Sequence, residues 1–197
     1  MEVFALKQLI EVLKTDAIAN NRHTLIPRFF GDEIWKFQVA LRALEFCDGF
    51  HGCKRWLLFP IKAAWRVRYH HLSVKLGFSI PTHVFAPGLS IPHYGTIVVS
   101  KYAKIGKNCR IHEGVNIGAT NGTTLSPVLG NNVFLGSGAK LIGEIQIADD
   151  VCIGANAVVT KSITESGTTW AGNPAQKISN NSSRRNLSSG LFLDKNV

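Results

Sequence analysis

The strongest regularity in the chain is a six-residue period in its apolar positions. From Val99 onward, every sixth residue reads Val99, Ile105, Ile111, Ile117, Thr123, Leu129, Leu135, Leu141, Ile147, Ile153 and Val159. Ten of these eleven are Ile, Leu or Val, a run too long for chance. Glycine follows the anchor at positions such as Gly106, Gly130 and Gly154, and the fourth residue after it is mostly small or apolar, as at Ala103, Cys109 and Ala139. Such a period matches neither a helix nor a two-residue hairpin alternation. It predicts short strands that turn a corner every six residues, so that three sides close a triangular coil of about 18 residues. Coils stacked ~4.8 Å apart place the anchors in one interior column.

Two interruptions break the period. The step back from Val99 to Ile91 is two residues too long and bulges around His93, while Phe85 continues the period below. The polar stretch from Ala119 to Ser126 reads as an excursion that keeps register. Residues 1–77 carry a different pattern. Val3, Leu6, Ile10, Leu13 and Ala17 mark one helical face, and Ile34, Phe37, Leu41 and Leu44 a second with Asp32 as its N-cap. A third helix is expected over Lys54 to Leu76, kinked or started by Pro60. The expected organisation is a helical region over 1–77, a β-helix over 78–178 and a flexible polar tail over 179–197.

Composition changes this picture little: the chain has 197 residues, 45% of them hydrophobic, enough for one cored domain and a satellite. The first apolar stretch is interrupted by Lys7, Glu11, Lys14 and Asp16, so no signal peptide is expected. No run approaches the roughly 20 apolar residues of a spanning helix, and a cytoplasmic location is expected. Cys47, Cys53, Cys109 and Cys152 show no paired spacing and read as packing residues.

Charge is more informative. The net charge is +9, and from Gly49 to His112 there are ten Lys or Arg but no Asp or Glu. Such a segment attracts anions. No nucleic-acid module accompanies it, so nucleic acid is not an expected partner. The basic helical stretch from Trp56 to Arg68 allows peripheral docking on an anionic membrane, or simple packing on the end of the coil.

Two segments carry a family resemblance. SIPHYGTIVV, from Ser90 to Val99, resembles the run of serine acetyltransferases that holds their catalytic histidine. The repeats from Leu129 to Ile163, closed by AGNPAQKI, resemble the cofactor-binding coils of serine, galactoside and maltose acetyltransferases. This resemblance implies a mainly β fold, a left-handed parallel β-helix of hexapeptide repeats behind an N-terminal helical region. It also implies a homotrimer and acetyl-CoA as co-substrate. No metal is expected, because a zinc site needs three convergent ligands and the sequence has no H-x4-H pair. His93 is then the general base that takes the proton of an acceptor hydroxyl, sufficient help because the thioester is already activated. His112 is the alternative base, expected to point outward. Glu113, one coil above His93, is the candidate to orient the imidazole. Gly118, Ser137, Ala155, Thr160, Lys161 and Lys177 are the implied CoA-binding positions.

The acceptor is less well marked. Serine acetyltransferases similar to this chain carry aspartates where Phe78 and Pro92 stand, and an Arg-His pair where Leu125 and Ser126 stand. Without them a zwitterionic acceptor lacks partners. The expectation is therefore a sugar hydroxyl of a cell-surface polysaccharide precursor, with L-serine as the alternative and a catalytically silent binding platform as the other class.

Overall fold

A computed structural model describes residues 2–50, 52, 56–120 and 122–193. Among the described residues, three long helices come first: α1 (Glu2–Ala19), α2 (Glu33–Asp48) and α3 (Phe59–Leu76). Thirteen short strands follow, and the chain lays them on three sheets in rotation. The first sheet has the order β1 (Phe78–Ser79), β2 (Ile97–Val99), β5 (Asn116–Gly118), β8 (Lys140–Ile142) and β11 (Val158–Val159). The second holds β3 (Lys104–Ile105), β6 (Val128–Leu129) and β9 (Gln146–Ile147). The third holds β4 (Arg110–Ile111), β7 (Phe134–Leu135), β10 (Cys152–Ile153), β12 (Thr169–Ala171) and β13 (Gln176–Ser179). All named pairs are parallel except β12 with β13. The result is a three-sided parallel coil.

The six-residue anchors pair with one another across coils: Val99 with Ile117, Leu141 with Val159, Ile111 with Leu135, and Leu135 with Ile153. Every anchor but Thr123 is buried, so the repeat is the core. Leu to Ala in such a column costs about 2–5 kcal/mol. The excursion lengthens one coil: Ile117 pairs with Leu141, six residues beyond the spacing that relates Leu141 to Val159.

The helices dock on the lower end of the coil. Phe37, Leu41 and Leu44 of α2 are fully buried, with Phe37 against Tyr69 of α3 and Phe78 of β1. Asp16 and Arg42, both buried, tie this joint. The Asp16 carboxylate accepts from Arg42 Nε (2.8 Å) and from the backbone N–H groups of Gly88 (2.7 Å) and Leu89 (3.0 Å). Arg42 also donates to the carbonyls of Phe85 (2.8 Å) and Ala86 (3.0 Å). Burial disfavours its charge, and the Asp16 carboxylate outweighs that and holds Arg42 protonated.

Several expectations are corrected here. Among the described side chains of α1, Ala17 and Ala19 near its end are buried, whereas Leu6 and Ile10 face solvent; the Val3 side chain lies outside the described ones. Asp32 occupies the N-cap position of α2 as expected, but its side chain makes no capping bond. It sits in the left-handed region at φ 60°, its carboxylate clamped by Arg22 (2.9 and 2.8 Å) and by the Arg28 N–H. Pro60 starts α3 rather than kinking it. Residues 179–193 are not a flexible tail, because they make specific contacts. Ser183 is buried and donates to the Asn132 carbonyl, Arg184 pairs with Asp150 (2.9 Å), and Ser188 bonds Asn21 (2.8 Å). Cys47, Cys109 and Cys152 are buried and unbridged, and burial pushes the Cys109 thiol up to about 12. Cys53, Lys54 and Arg55 lie outside the described residues.

Candidate active site

The bulge before β2 brings His93 over the coil edge. Ile91 remains buried in the column, and a bridge from Ser90 to Arg110 sets it level with Ile111. The two extra residues therefore leave the wall, and His93 is exposed. Gly95 closes the loop at φ +132°, where a Cβ would fall 2.9 Å from the Cβ of Glu113. Glycine is needed there on both counts, and the loop lies directly on Glu113.

Three side chains meet at this edge. One potential donor atom from each of His93, His112 and Glu113 lies within 4.8 Å of the others. The rings of His93 and His112 meet edge to face at 5.5 Å, and His112 packs in turn on Phe134 at 5.1 Å. His112 therefore does not point freely outward: its side chain is 16% exposed. Burial, then the Arg110 guanidinium, holds its pKa below the usual histidine value. The Ser137 side chain, then the Glu113 backbone N–H, holds Glu113 below the usual carboxylate range. Glu113 Oε2 is buried with no hydrogen-bond partner, 3.9 Å from His112 Nδ1. It is an acceptor poised among imidazoles. A divalent metal suits the cluster poorly, because Arg110 Nε lies 3.3 Å from His112 Nε2 and brings a positive charge alongside.

The implied CoA positions fall along two edges. Ser137 and Ala155 continue the edge of Glu113 upward: Gly138 N donates to the Glu113 carbonyl and Asn156 N to the Ser137 carbonyl, both at 2.8 Å. Gly118 ends β5 and Thr160 and Lys161 follow β11, across the first sheet from that edge. Thr160 and Lys161 line a cavity of about 200 Å³ with Trp170, Pro174 and Gln176. Lys177 does not line it, and Glu165 engages its ammonium at 2.5 Å. The exposed Lys161 is the better placed cation.

The acceptor positions hold no substitute carboxylate at the expected places. Phe78 is core, and Ser126 is buried with its hydroxyl on that of Ser100 at 2.8 Å. Arg110 was not singled out for the site from the sequence. The signal was present, since in a strand the residues on either side of a buried anchor face outward together, as Arg110 and His112 do around Ile111.

Residues 126–161 match the model of the bacterial transferase hexapeptide family (six repeats). The chain is 41% identical over 93 residues to a serine acetyltransferase of Helicobacter pylori, covering 46% of this chain and 54% of that protein. It is 36% identical over 100 residues to one of Mycobacterium tuberculosis, covering 50% and 43%. The chain thus spans about half the length of the curated relatives it matches. Among solved structures, serine acetyltransferase from Brucella abortus strain S19 superposes with a TM-score of 0.67 at 27% identity, over 92% of this chain and 73% of that one. These relatives overturn the expected polysaccharide acceptor, since each is named a serine acetyltransferase. The expectation failed because it was drawn from four missing side chains, while the similarity to these relatives extends over 93 to 100 residues. The chain is thus similar to serine acetyltransferases in part of its sequence and in its fold, with hexapeptide repeats matched over residues 126–161.

Proposed function

We propose that the protein is an acetyl-CoA-dependent serine O-acetyltransferase whose coil, residues 78–178, winds left-handed. The observation that carries the chemistry is the convergence of His93, His112 and Glu113 within 4.8 Å on one coil edge. Acetyl-CoA supplies an activated thioester. The small residues Ser137 and Ala155 suit the pantetheine arm, with Lys161 near its phosphate end. His93 takes the proton of the serine hydroxyl as the oxygen attacks the carbonyl, and Glu113 fixes the imidazole and stabilises its charged form. Backbone N–H groups of the coil meet the tetrahedral oxyanion. With no carboxylate at Phe78 or Pro92, Glu113 faces the serine ammonium and Arg110 its carboxylate. The flat outer sides of the coil suit a homotrimer, each site completed by a neighbouring copy.

Release of free thiol from acetyl-CoA, with and without L-serine, tests the reaction. The expected result is serine-dependent release matched by O-acetylserine. Thermal stabilisation by CoA with no serine-dependent release would overturn the acceptor and leave a CoA-binding protein. Sedimentation as a stable monomer would remove the trimer.

A further inference from the structure

Helix α3 has two apolar faces, and the fold uses one. Tyr69, Leu72 and Leu76 turn inward against the rest of the core. On the opposite side Phe59, Ala63, Val67 and Val74 form a second row, all exposed, Val67 by 69%. Successive helical residues stand about 100° apart, so Arg66 and Arg68 flank Val67 on either side. Neither has an ion-pair partner among the described residues. The nearby carboxylates are taken: Asp48 by Lys62 at 2.5 Å and Glu33 by Lys75 at 3.3 Å.

A second element widens this surface. The turn before α2 exposes Phe29 and Phe30, whose rings meet edge to face at 4.8 Å. A groove of about 690 Å³ separates it from α3, with Arg28 and Phe29 on one wall and Val67 and Arg68 on the other. Just ahead of α3, Trp56 and Leu57 are also exposed.

We propose that this patch docks in the plane of an anionic lipid bilayer. The outer row of α3 and Phe29 enter the acyl boundary, while Arg66 and Arg68 extend to headgroup phosphates. No described helix is long and apolar enough to cross a membrane, so the contact lies in the surface. Charge complementarity selects this occupant. A second copy seated by two-fold symmetry sets Arg66 and Arg68 against their own counterparts in a stretch without any Asp or Glu. Nucleic acid engages the arginines and leaves the apolar row in water. A bilayer meets both demands. The inference is independent of the transferase reading.

Co-sedimentation of the full chain with vesicles tests it, comparing phosphatidylcholine alone with phosphatidylcholine mixed with phosphatidylglycerol. Binding is expected only to the anionic vesicles and to weaken as salt is raised. The double variant Arg66→Gln, Arg68→Gln lowers the partition coefficient by about thirtyfold, from roughly fivefold per basic residue at such a surface. Val67→Asp abolishes binding, and Lys101→Gln on the coil leaves it unchanged. All three changes are at exposed positions, and circular dichroism checks that each variant is folded. Equal binding to both vesicle types, or undiminished binding by the double variant, overturns the proposal. So does a wild type that ignores vesicles but self-associates until Val67 is changed, which assigns the patch to a second copy.

Discussion

Arg110 Nε donates to His112 Nε2 at 3.3 Å, two outward side chains flanking the buried Ile111. A guanidinium only donates, so this ring nitrogen is the acceptor and the proton of neutral His112 rests on Nδ1, facing Glu113 Oε2. Replacing Arg110 by Met removes a cation and frees the tautomer. The His112 pKa then rises, while burial keeps it under the ordinary histidine value. Imidazole ¹⁵N shifts across pH read both changes, and unaltered shifts would show that Arg110 does not set the ring.

His93 and Glu113 carry different kinetic signatures. His93→Ala is expected to lower kcat by roughly 10² to 10⁴, the range for a lost general base. Glu113→Gln lowers it less and moves the acidic limb of the kcat profile to lower pH, because the imidazolium loses a negative neighbour. An unchanged profile in Glu113→Gln would dissolve the pairing, and full activity in His93→Ala would dissolve the mechanism.

The buried Asp16 and Arg42 pair predicts an asymmetric mutational result. Asp16→Ala leaves a buried guanidinium without its counter-charge and is expected to cost about 3–5 kcal/mol. The double change Asp16→Leu, Arg42→Met is expected to recover much of that loss. Urea unfolding measures both, and a double variant as unstable as the two single losses combined would contradict it.

Asp32 supplies a pH-dependent term. Its carboxyl is held at about 2, below the ordinary carboxylate range, chiefly by the hydrogen bonds from Arg22. A depressed carboxyl stabilises the fold above its unfolded pKa and loses that contribution as pH falls through the folded one. After solvent screening the clamp is worth about 1–2 kcal/mol. The stability gap between wild type and Asp32→Asn is expected to be full near neutrality and to close between the ordinary carboxylate pKa and about 2. A gap that persists in acid would assign the effect to packing.

The coil was legible because its signal is strictly local. A period of six in Ile, Leu and Val needs no knowledge of distant partners, and anchors pair with anchors throughout, 18 residues apart above the excursion and 24 apart across it. His93 was legible as a fault in that period, and Glu113 as its neighbour one coil up. The helical joint was hidden because Asp16, Arg42 and the 85–89 backbone are far apart in sequence and their charges look like surface residues. The tail misled for the same reason: SNNSSRRNLSS is polar but for Leu187, yet Ser183, Arg184 and Ser188 find specific acceptors. The role of Arg110 was missed because its charge merged into the basic stretch around it.

A stack of parallel coils is in principle an unlimited polymer, since each open end offers unpaired N–H and C=O groups to another copy. This chain stops growth at its two ends by different means. Below, Asp16, Asn20, Gln38 and Arg42 take up the backbone groups of Phe85, Ala86, Gly88, Leu89 and Ile91, so side chains stand where a further coil would bond. Above, β13 runs antiparallel to β12 and breaks the direction that another coil would have to continue. The helical region is thus a terminator as well as a satellite, and a chain stripped of it would present a fibre-forming edge.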